Sequence, residues 1–132
     1  MIGLDTNVLA RFLLDDDVEQ SPAARKAIQR AVAAGERLAI CAPMFLELEW
    51  VLRSRDGANK ASTVALLRQL LELHDVEVID ENAIEMALGH YEAKSLDFAE
   101  CLFHSLYVTH GCNSMLSFDK QAQRQLAGCI AP

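Results

Sequence analysis

Short apolar runs alternate with longer segments of helical period along this chain, and that alternation constrains the fold more than any other feature. The runs are Ile2–Leu4, Leu38–Cys41, Val76–Ile79, Ser114–Phe118 and Cys129–Ile130. Between them, apolar residues recur every three or four positions, as on one face of a helix. Helices are expected over Thr6–Leu14, Ser21–Gly35, Met44–Ser54, Ala61–Leu73, Glu81–Tyr91, Phe98–His110 and Gln121–Leu126. Strands that alternate with helices build parallel βαβ units. The expectation is an α/β fold in a single domain over residues 1–132, with a central parallel sheet of four to five strands flanked by helices on both faces. Ile2–Leu4 reads as a buried strand. Ser21 reads as a helix N-cap, with Pro22 at the first helical position. Asp15–Asp17 reads as a solvated acidic loop, and Arg53–Gly57 as a polar loop with basic residues.

Composition narrows the class. With 52% hydrophobic residues the chain carries enough apolar material for a core, which excludes disorder. No apolar run reaches bilayer-spanning length, so a membrane role is not expected. The N-terminus lacks a basic region ahead of an apolar stretch and does not read as a signal peptide. Cys41, Cys101, Cys112 and Cys129 form no C-x-x-C pair and no zinc-finger spacing. Scattered single cysteines suit a reducing compartment, hence the cytoplasm. A net charge of −7 argues against a general nucleic-acid coat protein. It leaves room for a nuclease, whose metal-binding carboxylates add to the negative total.

The acids are placed by the same alternation. Two runs end at an aspartate, Leu4 before Asp5 and Phe118 before Asp119. In an open parallel sheet, ligands bind beyond the carboxyl ends of the strands. Glu47 follows the second run, near the start of its helix. Asp97 and Glu100 stand three residues apart at another helix start, so both can face one way. Carboxylates gathered at one edge raise each other's pKa unless a cation joins them. An oxygen-only donor set suits Mg²⁺ or Mn²⁺. Such an ion serves phosphodiester hydrolysis.

Each acid also has an ordinary reading. Asp5, Asp97 and Asp119 can cap the helices that follow them, and Glu100 can complete a capping box with Asp97. Glu47, read as buried in an apolar helix, can pair with Arg53 or Arg55, leaving Glu49 as the functional acid. His104, one turn beyond Glu100, is either its hydrogen-bond partner, a proton carrier or a half-buried polar residue.

These stretches resemble the PIN domain family, and within it the VapC-type toxins. The resemblance rests on Leu4-Asp5-Thr6-Asn7-Val8-Leu9, Leu46-Glu47-Leu48-Glu49-Trp50-Val51-Leu52, Asp97-Phe98-Ala99-Glu100-Cys101-Leu102 and Ser117-Phe118-Asp119-Lys120. It implies a Mg²⁺-dependent ribonuclease with a flanked parallel sheet. Asp5, Glu47 and Asp119 match the family's first, second and fourth acids, and Asp97 matches its accessory acid. Glu100 stands where the family usually has Asp, which moves the carboxylate by about one carbon–carbon bond, ~1.5 Å.

The resemblance implies that Asp5, Glu47, Glu100 and Asp119 hold the metal or orient its water, with Asp97 as accessory ligand. Thr6, Asn7 and Ser117 then hydrogen-bond the carboxylates or a phosphate. It also implies an RNA substrate, a cognate antitoxin and a homodimer. The apolar surface at Trp50 and Val64–Leu73 serves either those partners or the core. The alternatives are a PIN-like module that binds RNA or a partner without cutting, because of Glu100, and a metal-dependent phosphatase on a similar sheet.

Overall fold

The computed structural model describes residues 1–55 and 57–132. Asp56, in the polar loop expected over 53–57, lies outside the described residues. The chain forms two compact units, Met1–Ile79 and Asp80–Pro132.

The first unit runs β1 (Ile2–Gly3), α1 (Thr6–Leu14), α2 (Gln20–Ala33), β2 (Leu38–Ile40), α3 (Ala42–Ser54), α4 (Lys60–Leu71) and β3 (Val76–Val78). Its strands form a parallel sheet in the order β1-β2-β3. Ile2 lies opposite Leu38, and Leu38 opposite Val76. The central strand is the buried one, through Leu38 and Ile40. β1, expected to be buried, is an edge strand, and Ile2 stays 43% exposed. An edge strand has one neighbour, so an apolar sequence alone does not bury it. The ladder continues past β1, where Leu4 N donates to Ala39 O at 3.0 Å. That bond fixes the backbone immediately before Asp5.

The core of this unit is Leu9, Phe45, Leu48, Leu52, Leu67 and Leu70. Of the apolar surface weighed for partners, Val64, Leu67 and Leu70 belong to the core, whereas Trp50 is 56% exposed.

The start of α2 differs from expectation. The helix begins at Gln20 rather than at Ser21-Pro22, and Ser21 is buried within it. The cap comes from further upstream: the Asp17 carboxylate accepts from Glu19 N at 2.9 Å and Gln20 N at 2.7 Å. These two backbone bonds hold Asp17 below the usual carboxylate range. Asp16 pairs with Arg11, and Asp15 with Arg25. The acidic run is therefore a turn in which each carboxylate has its own partner, and it joins α1 to α2.

The second unit runs α5 (Glu81–Ala93), α6 (Phe98–Thr109), β4 (Met115–Leu116), α7 (Lys120–Gln125) and β5 (Cys129–Ile130). α5 and α6 pack through Ala83, Ile84, Ala87, Leu88 and Tyr91 against Phe98, Cys101 and Leu102, all buried. The Tyr91 and Phe98 rings lie 5.4 Å apart. β4 and β5 are parallel, with Met115 opposite Cys129. The five expected strands are thus present and parallel, divided three and two between separate sheets.

Gly128 makes the turn into β5 with φ +75°. A Cβ there would lie 2.9 Å from the Asn113 carbonyl oxygen. Gly128→Ala is expected to destabilise the fold by about 1–3 kcal/mol, because a left-handed backbone and a close contact coincide. Gly35 also has positive φ but open space around it. Thermal melting should therefore show a smaller loss for Gly35→Ala, which isolates the cost of the contact.

His104 is buried, and its Nε2 lies 2.7 Å from Ala127 O. A carbonyl only accepts, so Nε2 carries the proton and donates, and the ring ties α6 to the turn before β5. Nδ1 has no hydrogen-bond partner among the described residues. This geometry gives His104 a structural role. The His90 ring meets it edge-on at 5.6 Å. Burial, then the His104 and Lys94 charges, push His90 below its ordinary value. The unfolded chain therefore binds that proton more readily than the folded one. Stability should fall as pH drops below about 6.5, through the interval between the two pKa values. Melting at about pH 7 and about pH 5 should show a larger loss for the parent than for His90→Gln.

Candidate active site

In the first unit, β1 runs out at Leu4 and α1 starts at Thr6, which leaves Asp5 at the N-cap. Its extended backbone (φ −84°, ψ 156°) turns the side chain back onto the helix, and Oδ2 accepts from Asn7 N at 3.2 Å. The ordinary reading of Asp5 as a cap is therefore realised, and it occupies one carboxylate oxygen. Asn7 takes part through its backbone.

Thr6 is buried and donates Oγ1–H to Glu47 Oε2 at 2.5 Å. Met44 Sδ lies 3.5 Å from the same hydroxyl. The bond joins residues far apart in sequence and sets Glu47 beside the turn that carries Asp5. Glu47 itself is exposed, contrary to the buried position expected for it. The buried acid of α3 is Glu49, whose Oε1 lies 2.8 Å from Arg53 Nε one turn on. Phe45, Leu48, Glu49 and Leu52 repeat at i, i+3, i+4 and i+7, so the core face of α3 includes Glu49. A carboxylate on that face needs a partner, and Arg53 supplies it. Glu49 belongs to the fold, and Glu47 is presented to solvent.

In the second unit, Asp97 occupies the N-cap of α6 with extended backbone but makes no side-chain capping bond. The capping box considered for Asp97 and Glu100 does not form, so neither carboxylate is committed to the helix end. Asp119 caps α7, with Oδ1 accepting from Ala122 N at 2.8 Å. The Ser117 hydroxyl oxygen accepts from Asp119 N at 3.0 Å, and the Ser117 carbonyl accepts from Gln123 at 2.7 Å. These bonds brace the strand end on which Asp119 sits.

Glu100 is half-buried and senses the other two acids. Burial first, then Asp119 and then Asp97, push its carboxyl above the usual range. Among the described residues no ion pair engages Asp97, Glu100 or Asp119. The three form a like-charged group whose cost rises as Glu100 ionises. Cys129, read from sequence only as a core cysteine, belongs beside this group. Burial, then Glu100 and Asp119, push its thiol upward. Only the pairing of β5 with β4 brings it there, and no local motif signals that. A thiol held protonated is inert as a nucleophile.

The donor set fits a hard divalent cation: carboxylate oxygens, a carboxyl pushed up by burial and then by neighbours of its own sign, and no cationic partner among the described residues. Among the described residues, no group of three or more His, Cys, Asp or Glu side chains is arranged to hold a metal unaided. Mg²⁺ commonly completes its shell with waters and substrate phosphates, so a full protein cage is not required. No helix among the described residues is long and apolar enough to cross a membrane.

No curated protein matches the sequence significantly. Among solved structures, the chain is similar to Mycobacterium tuberculosis VapC20, a toxin that cleaves the sarcin–ricin loop. Identity is 19%, each chain is covered over 100% of its length, and the TM-score is 0.44. The family model of the PIN domain matches residues 2–128. With that match running from β1, through every candidate acid, to the glycine before β5, the chain belongs to the PIN domain family.

Proposed function

We propose that this protein is a metal-dependent endoribonuclease that hydrolyses RNA phosphodiester bonds, as the toxin of a VapC-type toxin–antitoxin pair. Family membership supports a nuclease. The observation that supports the metal dependence is the carboxyl of Glu100, pushed upward by burial first and then by Asp119 and Asp97, with no ion pair to any of the three among the described residues.

In this reading the two units act as one domain over residues 1–132, as expected of a single family match that runs through both. Asp5, Glu47, Glu100 and Asp119 hold Mg²⁺ or Mn²⁺, with Asp97 accessory. When bound, such an ion supplies positive charge against the phosphate oxygens in the transition state and acidifies water. The remaining work belongs to the chain. Thr6 fixes Glu47 by donating to Oε2, which leaves Oε1 for a ligand. Asp119 keeps Oδ2 for the same purpose while Oδ1 holds α7. Asn7 steadies Asp5 by donating its backbone N–H to the carboxylate, and Ser117 steadies Asp119 by accepting the Asp119 backbone N–H at its hydroxyl. The protein acts on RNA in the cytoplasm, pairs with an antitoxin and forms a homodimer, to which exposed Trp50 contributes.

The test is cleavage of a single-stranded RNA with Mg²⁺ or Mn²⁺ and with chelator. Chelator-sensitive cleavage supports the reading, and equal activity with chelator overturns it. Glu100 favours one second reading, a PIN-like module that binds RNA or a partner with weak or no catalysis. Glu100→Asp discriminates the two. If the extra methylene limits a nuclease, kcat/KM should rise about 10-fold, the effect of about 1.4 kcal/mol on the barrier. No cleavage by either form, with RNA binding retained, favours the binding module.

A further inference from the structure

α2 carries three basic residues and no acid on an otherwise acidic protein. From Gln20 to Ala33 it holds Arg25, Lys26 and Arg30 and no acid, although the chain as a whole has net charge −7. Ala24, Ile28 and Val32 take its inward side, with Ala24 buried and Ile28 and Val32 half-buried. Lys26, Gln29, Arg30 and Ala33 repeat at i, i+3, i+4 and i+7 on an exposed face, where they line a shallow depression.

The three cations are not equivalent. Arg25 is engaged by Asp15. Lys26 and Arg30 have no ion pair among the described residues; Arg30 Nε donates only to the Lys26 carbonyl, at 3.4 Å. That bond lays the guanidinium along the helix beside Lys26. The two charges stand four residues apart, about 6 Å along the axis. Gln29 lies between them with a side chain that both donates and accepts. A pair of unneutralised cations with an amide between suits a run of phosphodiester groups, which demands charge at regular intervals and no particular base.

We infer that the Lys26–Gln29–Arg30 face of α2 is a phosphate-tracking surface that holds the backbone of the RNA substrate. This rests on the ribonuclease reading. It addresses how a chain with so many acids retains a polyanion. α2 packs against α1, whose N-cap is Asp5, and Arg11 of α1 donates to Gln20 of α2 at 2.8 Å. The tracking face therefore belongs to the same compact unit as Asp5 and Glu47.

The test measures binding of a polyuridylate 20-mer in EDTA, which separates binding from cleavage, across a salt series. The full chain is compared with Lys26→Gln/Arg30→Gln and with Lys60→Gln/Arg68→Gln, which makes the same charge change on α4. Glutamine keeps helix propensity, so the melting temperature should hold. Loss of two phosphate contacts should reduce the slope of log K against log salt by about 1.4 and weaken binding about 10-fold or more at low salt. The α4 variant should match the parent.

Unchanged slope and affinity in the α2 variant overturn the inference, and so does an equal loss in both variants, which would reflect net charge alone. If the parent cleaves RNA while the α2 variant binds normally, only this surface is wrong. If the parent neither binds nor cleaves RNA, both readings fall. A polyglutamate peptide that binds the parent but not the α2 variant, with RNA binding equal in the two, overturns it in favour of an acidic protein partner.

Discussion

Asp5→Asn should lower RNA cleavage on the order of 10²–10³-fold, the scale of removing one preorganised charge contact, and leave the melting temperature almost unchanged. Asparagine caps a helix about as well as aspartate, and the bond from Asn7 N needs only a side-chain oxygen. Asp5→Ala should lose activity to the same degree and about 1 kcal/mol of stability as well. The two variants together separate the cap, which is observed, from the chemistry proposed for the same residue. Parallel cleavage assays and thermal melts are sufficient. Full activity in Asp5→Asn would remove Asp5 from the reaction.

Glu100→Gln should stabilise the metal-free protein at neutral pH and abolish cleavage. The Glu100 carboxyl lies above its ordinary range in the folded state. A folded state that holds the proton more tightly than the unfolded chain is favoured at low pH, and that advantage is lost as pH rises through the folded pKa. Once ionised, the parent bears the cost of a half-buried charge first and the repulsion of Asp119 and Asp97 second, and glutamine removes both. Below about pH 4 parent and variant should converge, since Glu100 is then protonated in both folded and unfolded chains. Magnesium supplies the converse. An ion present at about 100 times its Kd stabilises the folded parent by about 2.7 kcal/mol, and the gain should shrink in Glu100→Gln. A variant less stable than the parent without metal at neutral pH, or one as responsive to Mg²⁺, would contradict this account.

The helices were legible because their signals are local. All seven fall within a few residues of the spans read from periodicity, caps and glycines. The exception is instructive. Ser21-Pro22 satisfies the rule for a helix start, yet Asp17 reaches two upstream amides and starts α2 earlier. The Asp17 carboxylate takes the first free amides, and the Ser21 hydroxyl instead accepts from Asp17 N at 3.2 Å. The strands were legible as apolar runs, but their division into sheets was not, because pairing is decided between distant segments. β1 and β4 are two residues long, too short for sequence to announce which edge they present.

The candidate site was legible in its residues and less so in their surroundings. Asp5, Glu47, Asp97, Glu100 and Asp119 could be named from strand ends, helix starts and family order. Which glutamate of α3 is buried was missed, although the spacing of Phe45, Leu48, Glu49 and Leu52 carried the answer. A bond from Thr6 to a carboxylate followed from the resemblance, but that the carboxylate is Glu47 could not be foreseen, since the two meet only when α1 packs on α3. Nor could the failed capping box, because its sequence is correct and only the side-chain positions differ.

That division of labour along α3 has a consequence inside a cell. A chain changed at position 47 would, under the proposed function, lose its chemistry but keep Glu49 clasped to Arg53, and so it would still fold. Under the proposed function, such a spent copy would persist, occupy the same transcripts and sequester the same neutralising protein as an armed one. If the proposed function holds, a population carrying both forms would then feel the inactive version as a decoy, with the dose of active protein set by the ratio of the two and by neither abundance alone.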